Sequence, residues 1–135
     1  MLYLVQWLRS LIFAIQMYLA MTIIAFFGAP ISLLRTDYAC VVVRLFCNYV
    51  TWSASWIIGL QTEIRGEPPS GEILIAAKHQ SFLDVIMIVS KTPQPKFIMK
   101  SSLIYMPIIG FYARRIGCIP VKRGRRSGAI KTMIA

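Results

Sequence analysis

The chain has 135 residues, 57 % of them hydrophobic and only 15 % charged, with a formal net charge of +10. That length argues against more than one sizeable domain, and the greasiness argues against an ordinary soluble one. A single histidine, His79, excludes a multi-histidine metal site. Three cysteines without Cys-x-x-Cys spacing argue against a disulfide framework and for small buried hydrophobes.

The charge is divided unevenly. Residues 1–63 hold three basic and two acidic side chains, whereas residues 64–135 hold twelve basic and three acidic. An apolar front and a basic back fit a membrane anchor carrying a domain that meets anionic lipids or phosphorylated substrates. Nucleic acid competes for such a charge, but no nucleic-acid motif occurs and none is expected as a partner.

In chain order, the first element is an uncharged run from Ser10 to Leu34, flanked by Arg9 and Arg35. Up to Gly28 it would span roughly 28 Å as a helix, enough for a hydrocarbon core of about 30 Å. Gly28-Ala29-Pro30 is expected to end or bend it. A signal peptide is the rival reading, weakened by the run's length and the lack of a small-x-small cleavage site. The second element, about Tyr38 to Leu60, carries Asp37, Arg44, Asn48, Thr51 and Ser55 as a polar stripe at helical spacing. Val42, Leu45, Phe46, Tyr49, Trp52 and Trp56 fall opposite. This suits an interfacial helix, or one packed on its neighbour, better than a free span, with an ordinary core helix as the alternative. Basic residues close behind it put that side in the cytoplasm. The predicted boundaries are thus a two-helix membrane motif over residues 1–60 and a second region over 61–135.

Beyond Leu60 the pattern alternates. Gln61–Arg65 reads as a short strand, Gly66–Gly71 as a dense turn and Ile73–Ala77 as a continuous apolar run of strand length. Ser81–Ser90 then reads as a helix, Lys96–Lys100 as a strand, and Ser102 to about Ile116 as a helix kinked at Pro107. Cys118–Val121 is a further strand, followed by a helix from Ser127 onward. Alternating strands and helices predict an α/β layer on a largely parallel sheet, whose strand ends open onto the site.

His79 follows the Ile73–Ala77 run and Asp84 sits in the first turn of the next helix, so the two could act as a base and its orienting acid. Ser81-x-x-Asp84 is also a helix capping box, which would account for Ser81 and Asp84 without any catalysis.

His79-Gln80-Ser81-Phe82-Leu83-Asp84 resembles the His-x4-Asp box of the glycerolipid acyltransferases, the family of the 1-acylglycerol-3-phosphate (lysophosphatidic acid) acyltransferases. Three more stretches resemble its pattern in order. Gly66, Pro68 and the apolar run before Lys78 match its lead-in. Lys100, Leu103, Pro107 and Gly110 resemble its Lys-x-x-Leu…Pro-x-x-Gly segment, and Gly117 to Arg123 its second box. The two amino-terminal hydrophobic segments resemble, in character, the membrane motif of bacterial members. The family's third box, Glu-Gly-Thr-Arg, and its fourth do not occur before Ala135. The expectation is therefore the front part of a longer α/β acyltransferase at the inner membrane, with its catalytic part facing the cytoplasm.

The resemblance implies the chemistry. His79 would be the general base on the free hydroxyl of a lysophospholipid, with Asp84 orienting it. Arg123 would hold the acceptor's phosphate, and Lys100 would stand near that phosphate or the developing oxyanion. The co-substrate would be acyl-carrier protein or acyl-CoA, with no cofactor or metal and no acyl-enzyme. Lys122, Arg125 and Arg126 would widen the basic field without being catalytic. The implied product is phosphatidic acid from lysophosphatidic acid. Acylation of glycerol-3-phosphate or another lysolipid is the next reading, and a non-catalytic, truncated basic membrane protein is the rival from another class.

Overall fold

A computed structural model describes residues 2–67, 71, 73–78 and 81–122. Its elements are α1 (Leu2–Leu34), α2 (Thr36–Ile57), α3 (Phe82–Lys91), β1 (Ile98–Lys100), a 3-10 helix η1 (Ser101–Tyr105), α4 (Pro107–Ile116) and β2 (Ile119–Val121). Helix dominates. The α/β character expected from the sequence is carried by one piece, in which β1 and β2 pair in parallel across the intervening η1 and α4. Parallel neighbours require such a crossover, because a tight turn cannot reverse the chain twice.

The chain divides into two compact units. The first comprises residues 1–24 and 43–93, the second residues 25–42 and 94–135.

In the first unit, the part of α2 from residue 43 buries Cys47, Val50, Ser53 and Ala54, while Trp52 and Trp56 stay exposed. The buried stripe is therefore made of small residues and is neither the polar nor the aromatic stripe read from the sequence. Small side chains let helix backbones approach closely, the usual means of packing where no hydrophobic difference drives association. A polar lock crosses this contact. Tyr49 Oη donates to Gln16 Oε1 at 2.6 Å, and Gln16 Nε2 donates to Ser53 Oγ at 3.1 Å. The hydroxyls of Thr51, Ser53 and Ser55 also bond back to carbonyls three or four residues earlier, which satisfies them inside an apolar helix.

In the second unit, α1 does not stop at Gly28-Ala29-Pro30 but runs four residues beyond the proline. Pro30 has no N–H to give to the preceding turn, and the last carbonyls of any helix lack intrahelical donors. In the last turn Arg115 of α4 supplies what the backbone cannot, and Tyr112 adds a second tie further back. Tyr112 Oη donates to the Ala25 carbonyl at 2.9 Å. Arg115 donates through Nε and Nη2 to the Ser32 carbonyl at 3.1 and 2.6 Å, and through Nη2 to that of Leu33 at 2.6 Å. Burial pushes the Tyr112 phenol above its ordinary pKa, so it remains a donor well into alkaline pH. Gly28 lies against Val42 and the Tyr112 hydroxyl, where a side chain would clash.

One helix among the described residues is long and apolar enough to cross a membrane, the segment Tyr3–Leu34 of α1. Only 6 % of its most apolar window is buried, which is not the behaviour of a soluble core helix. Helix α2, with Asp37 and Arg44, does not meet the same hydropathy criterion, so the expected two-helix membrane motif finds this support in its first helix alone.

Three further expectations are corrected. Residues 61–65 and 73–77 form no strand. Ile73, Leu74 and Ile75 are exposed there, and an apolar run becomes a strand only when a neighbouring ladder takes up its N–H and C=O groups. Pro107 does not kink a long helix. It occupies the first position of a new one, where its missing N–H costs nothing and its fixed φ is already helical. The helix expected from Ser127 lies outside the described residues.

Candidate active site

Helix α3 begins where the sequence places it. Ser81 is the N-cap, with extended backbone at φ −137° and ψ 165°, and Asp84 is the third helical residue. Asp84 Oδ2 accepts the Ser81 backbone N–H at 3.0 Å. The capping interaction foreseen as the purely structural account of Asp84 is thus present. A carboxylate in this first turn also faces the positive end of the helix dipole, a favourable pairing. Ile86, Val89 and Ser90 on the opposite side of α3 are buried and fix its rotation, leaving Asp84 half-buried. His79 precedes the cap by two residues and lies outside the described residues, as does Arg123.

Lys100 ends β1 and is exposed. Register places its Cα opposite that of Val121 at the end of β2. In parallel strands both carboxyl ends point the same way, so the chain leaves β2 toward Lys122 at the sheet end that carries Lys100. Neighbouring strands stand about 4.8 Å apart, so Lys100 and Val121, near the end of the second box, share one end of the sheet.

Two glycines of the matching motifs have physical reasons in this unit. Gly110 faces η1 so closely that a Cβ would fall on the backbone of Ile104, 2.7 Å from its carbonyl carbon and nearer still to the oxygen. Gly117 ends α4 in the left-handed region at φ +84°, with its N–H and that of Cys118 both bonded to the Ala113 carbonyl. Cys118 then enters β2. Burial pushes its thiol up in pKa, against a smaller opposing pull from the Phe97 backbone, so it is a poor nucleophile near neutrality.

Asp84 therefore belongs to the first unit and Lys100 to the second. Residues that sequence reasoning missed are the ones that hold these pieces: Gln16 with Tyr49 and Ser53, and Tyr112 with Arg115. Gln16 could have been flagged as a strongly polar side chain inside the uncharged run. Nothing local distinguishes Arg115 from its neighbour Arg114.

The profile of the family described as acyltransferase matches residues 61–134, which contain all four candidate residues. The chain is 27 % identical over 112 residues to a 1-acyl-sn-glycerol-3-phosphate acyltransferase of Pseudomonas aeruginosa, covering 82 % of this chain and 43 % of that protein. It is 31 % identical over 103 residues to the chloroplastic 1-acyl-sn-glycerol-3-phosphate acyltransferase BAT2 of Brassica napus, covering 71 % of this chain and 29 % of that one. A third relative, the chloroplastic LPAT1 of Arabidopsis thaliana with the same enzyme name, is 34 % identical over 67 residues, half of this chain and 18 % of its own. The chain thus spans less than half the length of each of these relatives. No solved structure matches it significantly. With a profile that covers more than half of its residues, the chain belongs to the acyltransferase family.

Proposed function

We propose that the protein transfers a fatty acyl group from acyl-carrier protein or acyl-CoA to the free hydroxyl of 1-acylglycerol-3-phosphate, giving phosphatidic acid. The observation that carries this reading is the family match over residues 61–134, a stretch that contains His79, Asp84, Lys100 and Arg123.

In this reading the His79 imidazole removes the acceptor's hydroxyl proton as the oxygen attacks the thioester carbonyl. The tetrahedral intermediate collapses by breaking the carbon–sulfur bond, and the imidazolium returns its proton to the departing thiolate. Imidazole suits both steps because its unperturbed pKa is about 6.5. Asp84, tied to the Ser81 N–H in the first turn of α3, supplies the fixed negative charge that orients the ring and stabilises its charged form. No covalent acyl-enzyme is needed, which accords with the raised pKa of Cys118. Arg123 grips the acceptor phosphate through its planar fork, and Lys100, whose Cα lies opposite that of Val121, adds positive charge. The domain boundary at residues 60 and 61 separates the membrane motif from the acyltransferase region. Helix α1 anchors the protein in the inner membrane, and the basic residues after position 63 hold the catalytic part on the cytoplasmic side.

The test compares acceptors in the protein expressed from its own gene, and measures the effect of Arg123→Ala on each. Lysophosphatidic acid is expected to outpace glycerol-3-phosphate and phosphate-free lysolipids. The variant should raise KM for the phosphorylated acceptor at nearly unchanged KM for the acyl donor. A donor KM that rises instead would remove Arg123 from the phosphate.

A further inference from the structure

A cavity of about 420 Å³ opens between η1 and α4, and its lining joins two chemistries. One wall is apolar and includes Tyr105, Met106 and Phe111; the other carries Arg114 and Arg115. Tyr105 is 84 % exposed and Met106 46 %, next to each other at the corner where η1 gives way to α4. The corner is held rather than loose. The Met106 N–H bonds to the Leu103 carbonyl at 3.2 Å, the Gly110 N–H bonds to the Met106 carbonyl at 2.7 Å, and Gly110 lies against Ile104.

The position of this corner is set by Arg115, whose guanidinium holds the carbonyls of Ser32 and Leu33. These belong to the last turn of α1, the helix long enough to cross a membrane, and Arg35 follows directly. A helix exit flanked by arginine is where a bilayer passes from acyl chains to phosphates. The described residues of the second unit hold Arg35, Lys96, Lys100, Arg114, Arg115 and Lys122 against one acidic residue, Asp37. Arg114 is exposed, with one long bond of 3.4 Å to the Ile104 carbonyl.

We propose that the η1–α4 corner is a second membrane contact, seated on anionic lipid. Tyr105 and Met106 enter the boundary of the acyl layer, and Arg114 pairs with a lipid phosphate. An aromatic ring with a polar tip favours that depth, and an arginine fork matches phosphate oxygens. The contact would complement α1 by fixing how the second unit stands on the surface, which a single helix, free to rotate about its axis, does not do. The inference rests on α1 being inserted in the membrane.

The experiment is hydrogen exchange read by mass spectrometry on the protein in nanodiscs, either of phosphatidylcholine alone or with added phosphatidylglycerol. Alkaline carbonate extraction is run in parallel. Peptides covering residues 101–107 are expected to exchange more slowly when phosphatidylglycerol is present. Arg114→Glu should abolish that dependence, Tyr105→Ser should reduce it, and both variants should resist carbonate as the parent does. Equal exchange in the two lipids, or a dependence that survives Arg114→Glu, would overturn the lipid seat and leave the corner to another part of the protein. Extraction of the parent by carbonate would overturn the insertion of α1 itself, and the seat with it.

Discussion

Gly110→Ala gives the sharpest test of why the Pro-x-x-Gly segment needs its glycine. In a helix interior, alanine is favoured over glycine by about 1 kcal/mol, so propensity alone predicts stabilisation. The structure predicts the reverse. The new Cβ would meet the Ile104 carbonyl group, with the carbonyl carbon at 2.7 Å and the Ile104 Cα at 3.2 Å. These are backbone atoms that cannot rotate aside, so η1 must move away from α4, an overpacking cost of about 3 kcal/mol. The net loss is about 2 kcal/mol, roughly 30-fold in the folding equilibrium. Gly117→Ala is the comparison, because there the nearest atom to a new Cβ is Lys96 Cε at 3.9 Å and only the left-handed backbone at φ +84° is strained, costing about 1 kcal/mol. Denaturant unfolding in mild detergent measures both, and the midpoint should shift with an unchanged slope. A Gly110→Ala protein as stable as the parent, or less destabilised than Gly117→Ala, would refute the steric account.

Other outcomes follow from the same contacts. Gln16→Leu raises the apolarity of α1 yet should destabilise its pairing with α2 by about 1 kcal/mol, because Tyr49 and Ser53 each lose a partner; thermal unfolding in micelles should show a lower midpoint. The raised pKa of the Cys118 thiol means that less thiolate is present at any given pH than in a free cysteine. Its alkylation by iodoacetamide in the folded protein should therefore be slow at pH 8 and should accelerate only at higher pH, whereas in denaturant it should match a free thiol. Cys118→Ala should keep acyl transfer.

What the sequence made legible is local. The start of α3 at Ser81, the strand endings at Lys100 and Val121, and the break between α3 and β1 all follow from caps, prolines and short apolar runs within a few residues of the feature. Pro30 and Pro107 mark where that local logic fails. Pro107 reads locally as a kink because its neighbours on both sides favour helix, but close packing of Gly110 on Ile104 ends one helical segment and starts another. Gly28-Ala29-Pro30 reads locally as an end or a bend, yet the helix runs on to a last turn whose Ser32 and Leu33 carbonyls are held by Arg115, more than 80 residues later. The runs at 61–65 and 73–77 have the composition of strands, but pairing is a property of two segments and cannot be read from one. Of the candidate site, residue types and order were legible throughout. The structure adds the capping bond of Asp84 and the shared sheet end of Lys100 and Val121, while His79 and Arg123 rest on the family's pattern.

Acyl transfer with His79 as the base can be followed with labelled acyl-CoA or acyl-carrier protein and lysophosphatidic acid, using the protein expressed from its own gene beside its His79→Ala variant, both in bilayers. Phosphatidic acid is expected from the parent and background levels from the variant, with both proteins equally retained in the membrane. Equal turnover by parent and variant would contradict the role of His79 as the base.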